Sequence, residues 1–193
     1  IDAGGDTGVI GYSNTVAGIG ISIEIDRDVT TEGFNQAGTG SGASTGGNSV
    51  NMAFQYPVPG FDGLTFAAGL AETSYSDDTN DNEDSMAVNY VMGPISVGYQ
   101  LSNVHPANGA TAQEIEAMGV AFNVNDQLSV SFSKNDNTQA GVTEESSGLQ
   151  AAYSMGSASV RLAFNSADNV GGANGIDAEK LAWVMDLKNN RRG

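Results

Sequence analysis

Apolar and small polar residues alternate along much of this chain with a period of two. Residues 127–133 show it most clearly: Leu128, Val130 and Phe132 fall on one side, and serines alternate with them. Successive side chains of a β-strand point to opposite faces of its sheet, so this pattern predicts a strand that is apolar on one face only. The same arrangement recurs in about ten segments. We therefore expect a sheet with one apolar face and one face of small polar residues.

The predicted strands are joined by connections that are alternately short and long. The predicted strands are residues 16–25, 50–56, 64–70, 86–92, 95–101, 118–124, 127–133, 149–155, 160–164 and 181–187. Short connections with turn residues, such as Gly93-Pro94, favour antiparallel hairpins. Residues 26–47, the acidic run 77–84 and residues 135–145 are interpreted as long loops. Tight turns at one edge and long loops at the other are typical of membrane β-barrels.

Aromatic residues mark one end of several predicted strands. Tyr56, Tyr90, Phe122 and Tyr153 each lie shortly before a tight turn, on the apolar face of their strand. In a barrel they would form a girdle at one membrane interface, whereas a soluble sandwich has no reason to hold aromatic residues at a constant height. The pattern predicts an all-β fold, an antiparallel up-and-down transmembrane β-barrel with about ten strands in this chain.

Composition narrows the class further. The chain of 193 residues is 39% apolar and 16% charged, with 7 Lys and Arg against 23 Asp and Glu, a formal charge of −16. A nucleic-acid-binding protein needs the opposite balance, so we exclude that partner. No stretch approaches the 18 to 20 or so apolar residues of a membrane helix. The chain starts at Ile1 without a signal peptide, and we expect a processed form or a fragment.

Several segments of the chain resemble a known family. Gly47–Pro57 and the following residues 60–70 are similar to a segment of bacterial general-diffusion porins, with an Asn-rich strand, a Tyr-Pro turn and a Gly-Leu strand. Residues 92–99 and 153–161 resemble the hairpins of alphaproteobacterial porins. The resemblance implies a trimeric barrel of about sixteen strands in the outer membrane, in contact with lipid and lipopolysaccharide. It also implies passive diffusion of small hydrophilic solutes and ions.

The resemblance also assigns a role to the longest predicted loop. Residues 26–47 would be the constriction loop inside the channel, with Asp26, Asp28 and Glu32 facing basic residues on the barrel wall. The whole chain, residues 1–193, would be a single barrel domain or the C-terminal two thirds of one. Two features depart from the family: about ten strands are present, and the chain ends without a terminal aromatic residue.

Few charged residues are expected to line the channel. Alternation along their strands places Glu24, Arg161, Lys180 and Asp186 on the small-residue face. Arg161 either lines a constriction or pairs with a local carboxylate, and the sequence leaves both open. Because bases are so scarce, we predict a negative lumen that prefers cations.

The sequence contains one candidate calcium site and no candidate catalytic site. The acidic residues Asp77, Asp78, Asp81 and Glu83 could bind Ca²⁺, although the segment lacks the glycine of an EF-hand and a solvated loop is the alternative. Apart from this ion no cofactor is predicted. The chain has one histidine, His105, and no cysteine. With no partner histidine, thiol or nucleophile elbow, we expect no enzyme.

A second function class stays open at this stage. The acidity and the Gly- and Asn-rich loops also fit a soluble, all-β surface-layer or adhesin-type structural protein of a bacterial envelope. In such a sandwich the apolar faces would pack against one another, and the polar faces would carry more charge than the Ser-, Gly- and Ala-rich faces seen here.

Overall fold

The computed structural model describes residues 10–29, 47–75, 79–107, 111–156 and 158–187. These residues form eleven β-strands and one turn of 3₁₀ helix at Val170–Gly172. The strands are β1 (Ile10–Val16), β2 (Ile19–Val29), β3 (Gly47–Pro57), β4 (Leu64–Tyr75), β5 (Asn80–Met92), β6 (Ile95–His105), β7 (Gln113–Asn123), β8 (Leu128–Gln139), β9 (Val142–Met155), β10 (Ala158–Asp168) and β11 (Ala178–Leu187). None of the described residues forms a helix of the length and hydropathy needed to cross a membrane.

The strands follow one another in a single sheet, in the order of the sequence from β1 to β11. The pairs with defined register are antiparallel; for example, Met52 lies opposite Leu70, and Leu128 lies opposite Tyr153. This is the up-and-down, all-β arrangement that the alternation predicted. Two of the tight hairpins turn through residues with positive φ, Ala17-Gly18 and Ala140-Gly141. Such turns match the right-handed twist of the strands they connect.

One predicted connection is wrong. Residues 135–145 are not a loop, because β8 runs to Gln139 and β9 starts at Val142, with a two-residue turn between them. The apolar alternation stops at Phe132, but the backbone ladder continues through charged cross-strand pairs such as Asp136 with Glu145. The short-and-long rhythm of connections therefore fails at this hairpin.

The acidic run and the proposed constriction loop are both shorter than predicted. Strand β5 begins at Asn80, so Asp81 and Glu83 lie on a strand and not in a loop. Strand β2 runs to Val29, which places Asp26 on the strand, opposite Ser49. The ends of these strands carry polar side chains on both faces. Apolar alternation therefore does not show that the strands continue.

One strand was not predicted at all. β1 pairs with β2 over its whole length, from Ile10 opposite Ile25 to Val16 opposite Ile19. Its outward side holds Tyr12 and Asn14, whose side chains hydrogen-bond to each other at 2.8 Å. The asparagine interrupts the apolar row, which is why the alternation began only at Val16.

Burial in this fold is the reverse of that in a water-soluble domain. Among the described residues, the buried apolar side chains are Val104 and Ile115. The buried polar side chains form a larger group: Asp26, Ser49, Asn51, Thr73 and Ser102. Many large apolar side chains are instead exposed, by 36% to 71% of their surface. Soluble proteins do not expose so much contiguous apolar surface without a partner.

The chain divides into two compact units. Unit 1 comprises residues 1–88 and 100–115, and unit 2 comprises residues 89–99 and 116–193. Within unit 2, β8 to β11 contact one another as neighbours in the sheet, and β8 and β9 also contact the 3₁₀ turn. No second layer covers Val130 or Phe132 among the described residues, as a sandwich would require. The prediction of one domain spanning residues 1–193 stays a prediction.

Candidate pore-lining surface

Each strand carries an apolar face and, opposite it, what we call the small-residue face. In unit 1 the small-residue face borders a cavity of about 830 Å³. Its side chains are mostly hydroxyl, amide or methyl groups, from Ser13, Thr15, Gly20, Ser22, Asn51, Ala53, Gln55, Ala67, Gly69, Ala71, Ser85, Ala87, Gln100 and Ser102. Short side chains leave room beside the backbone, and their polar groups can hydrogen-bond to water. This face can hold solvent or a solute.

The charged side chains that unit 1 brings to this face are carboxylates. Glu24 and Glu83 are half-buried, and Asp26 is only 1% exposed. All three alternate along their strands with residues that line the cavity, such as Ser22 and Ser85. Arg27 is the one Lys or Arg in the sequence of unit 1. The electrostatic potential on this side of the sheet is therefore negative.

Asp81, on β5, accepts hydrogen bonds from two other segments of unit 1. Its Oδ2 accepts a hydrogen bond from the Tyr75 hydroxyl at the end of β4, and its Oδ1 accepts one from the Ala107 backbone N–H after β6. Both oxygens of this predicted calcium ligand are thus engaged by protein donors. Asp77 and Asp78 lie outside the described residues, within which no group of three acidic or histidine side chains is placed to hold a metal. The calcium site stays a prediction.

In unit 2 the small-residue face is serine- and asparagine-rich and borders a smaller cavity of about 350 Å³. Gly148 lies beneath its polar side chains: a Cβ atom at this position would be 2.8 Å from Asn165 Oδ1 and 3.4 Å from Ser133 Oγ. Only a glycine permits this approach without displacing a neighbour. A side chain at this position would require Asn165 to turn away from it.

Two basic residues, Arg161 and Lys180, are assigned to this part of the face, and Glu179 borders the same cavity as Lys180. Arg161 pairs in register with Ala152 and Val184, and Lys180 with Asn165; both side chains are exposed. The ion pairs within the described residues are both made by Lys134, to Asp136 at 2.8 Å and Glu145 at 3.3 Å. Arg161 has no ion-pair partner among those residues, and its place on the channel wall stays a prediction.

Three predicted site residues cannot be placed in the same detail. Glu32 lies outside the described residues, and the side chains of Asp28 and Asp186 are likewise outside them. Sequence reasoning also gave Glu83 the wrong setting, a loop that might bind calcium. Its alternation with Ser85 and Ala87 would have placed it on the small-residue face.

The apolar residues of neighbouring strands form a band, as β3 and β4 show. In β3 the band runs from Val50 to Tyr56, and in the paired β4 it runs from Leu64 to Leu70; Glu72, opposite Val50, ends it. Six residue steps span roughly 20 Å along a strand, and the apolar band of a bacterial outer-membrane barrel is about 25 Å tall. The predicted girdle residues Tyr56, Tyr90, Phe122 and Tyr153 are all on the surface, each 38% or 39% exposed.

Comparison with known proteins agrees with this geometry. Residues 2–186, nearly the whole chain, match the model of the Gram-negative porin family. The chain belongs to this family, whose members reside in the bacterial outer membrane.

Solved porins share the fold at low sequence identity. An anion-selective porin from Comamonas acidovorans is 15% identical with a TM-score of 0.64, and the match covers 93% of this chain and 57% of that one. OmpF from Salmonella typhi, solved in complex with daunomycin, is 13% identical with a TM-score of 0.69, covering 93% and 61% respectively. This chain thus spans about three fifths of their length. No curated relative matches it.

Proposed function

We propose that this protein forms a water-filled channel in the outer membrane, through which small hydrophilic solutes and ions diffuse passively. The reversed burial carries the proposal: apolar side chains are exposed on one face, and polar side chains are buried on the other. Lipid tails suit the first face, and water suits the second. Passive conduction needs no nucleophile, acid or cofactor, so the proposal assigns no catalytic step.

The channel prefers cations in this proposal. The chain has 23 acidic against 7 basic residues, and carboxylates predominate on the small-residue face of unit 1. The name of the Comamonas porin describes it as anion-selective, so the sign of selectivity is not a constant of the fold. It depends instead on the few charges along the channel wall.

The assembly follows from the family resemblance. We infer a homotrimer of barrels with about sixteen strands each, in contact with the bilayer and lipopolysaccharide. The alphaproteobacterial likeness of the hairpins belongs to the same inference and rests on residues 92–99 and 153–161.

Planar bilayers test conduction and selectivity together. We expect detergent-purified protein to insert, to give stepwise current increases in KCl, and to show a reversal potential of cationic sign in a salt gradient. A matched sample denatured before addition is the control. Absence of steps would reject the channel, whereas steps with an anionic reversal potential would reject only the cation preference.

A further inference from the structure

Six of the residues that border the cavity of unit 1 have no side chain longer than a methyl group. We call these residues its floor: Gly20, Ala53, Ala67, Gly69, Ala71 and Ala87. Ala53 lies directly opposite Gly69 in the ladder, so the floor is continuous from β3 to β4. A Cβ atom on Gly69 would lie 2.8 Å from Ser85 Oγ, so the hydroxyl of Ser85 lies over this glycine. The alanine methyl groups beside that hydroxyl offer contacts to a compact apolar group.

Neutral hydrogen-bonding groups surround the floor. Ser22, Gln55, Gln100 and Ser102 all line the same cavity. Gln100 Nε2 donates to Ser102 Oγ at 2.9 Å, which holds that amide beside the hydroxyl. These groups can donate to or accept from a solute, but they do not select its charge.

Glu83 supplies the charge. It is half-buried at the edge of the floor, beside Ser85 and Ala87, and has no ion-pair partner within the described residues. Its neighbour Asp84 also borders the cavity, and its side chain accepts a hydrogen bond from Asn103 Nδ2 at 2.9 Å. Among the described residues, no lysine or arginine lines the cavity. A carboxylate without a basic partner attracts a cation.

We propose that this cavity is a binding site for small organic cations, with a protonated amine against Glu83 and its apolar body on the alanine and glycine floor. The volume of about 830 Å³ falls within the range of ordinary small-molecule sites. The inference rests on the proposed channel function, because it places the site on the channel wall. It adds a class of solute, organic amines, that is held during passage.

Equilibrium dialysis of the full protein in detergent tests the site directly, with the same detergent in both chambers and at pH 8, where a carboxyl group is ionised. The probe is benzylammonium, and benzyl alcohol is its neutral counterpart. We expect benzylammonium to bind at least tenfold more tightly than the alcohol. Glu83→Gln should weaken benzylammonium binding about tenfold and leave the alcohol unchanged, because it removes only the charge.

Two further variants separate the site from general effects. Glu72→Gln removes the same charge from the apolar face of β4, at an exposed position, and should leave binding unchanged. Ala87→Leu fills the floor without altering charge and should weaken binding of both probes. Because it does not involve Glu83, it also tests the site if Glu83→Gln fails to fold.

Conduction measured in parallel separates this inference from the channel itself. If the protein conducts KCl but binds both probes equally, or binds benzylammonium equally well after Glu83→Gln, the amine site is wrong and the channel stands. If it binds benzylammonium as described but never conducts, the channel is wrong and the site stands.

Discussion

Units 1 and 2 are built by the same alternation of residues but carry different charges. Unit 1 has fourteen acidic residues and one basic residue, a net charge of −13, whereas unit 2 has nine acidic and six basic residues, a net charge of −3. On the small-residue face unit 1 carries Glu24, Asp26 and Glu83, whereas unit 2 carries Arg161 and Lys180, with Glu179 at the same cavity as Lys180. The shared alternation determines the sheet, and a handful of charges distinguishes its two parts.

Both units have an apolar face, and a charge placed on it should reduce the stability of the folded protein. This is the largest effect that we expect. Val130→Arg puts a charge in the middle of the band, and such a charge costs about 2–4 kcal/mol at the membrane midplane. Ser131→Arg puts the same side chain on the small-residue face and should cost far less. Urea titration of refolding into phospholipid vesicles measures both variants. Equal destabilisation would contradict the assignment of the two faces.

Glycines beneath polar side chains are a second shared feature, with a smaller expected effect. Gly148→Ala should destabilise unit 2 by about 1 kcal/mol, because the new methyl group forces the Asn165 side chain to turn away. Gly119→Ala is the matched control, since the nearest atom to its Cβ is 3.7 Å away. Adding Asn165→Ala should restore the stability of the first variant. In unit 1, Gly69→Ala should likewise be destabilising, and adding Ser85→Ala to that variant should restore its stability.

Removing the charges that distinguish the two units should have the smallest effect, a change in ion selectivity. Replacing Arg161 and Lys180 together by Gln should raise the cation-to-anion permeability ratio roughly two- to fivefold, because a nearby unit charge in water contributes up to about 1 kcal/mol. Glu24→Gln should lower the ratio. Reversal potentials in a KCl gradient measure both, and the differences should shrink in high salt. A shift in the opposite direction would show that these side chains do not line the channel.

The sequence predicted the faces of the sheet better than the ends of its strands. Leu128, Val130 and Phe132 alternate with serines because lipid and water lie on opposite sides, so their assignment needs no knowledge of distant contacts. The extension of β8 and β9 was missed because Lys134, Asp136 and Glu145 continue the backbone ladder with charged pairs. Alternation of apolar residues carries no information where both faces are polar.

The site was predictable in part for the same reason. Alternation alone assigned Arg161 and Lys180 to the small-residue face, and both lie on paired strands, β10 and β11, where that alternation applies. The near-complete burial of Asp26 and the engagement of Asp81 by Tyr75 and Ala107 depend on residues far apart in sequence. Such contacts follow from how strands come together and leave no local pattern in the sequence.

Alternating accessibility along β8 tests the central claim most directly. The chain has no cysteine, so single cysteines can be placed one at a time at residues 128–133 and labelled in reconstituted vesicles. We expect Ser129, Ser131 and Ser133 positions to react with a charged, water-soluble thiol reagent. Fluorophores at the Leu128, Val130 and Phe132 positions should be quenched by nitroxide-bearing lipids. Six positions that react and quench alike would contradict a strand with lipid on one side and water on the other.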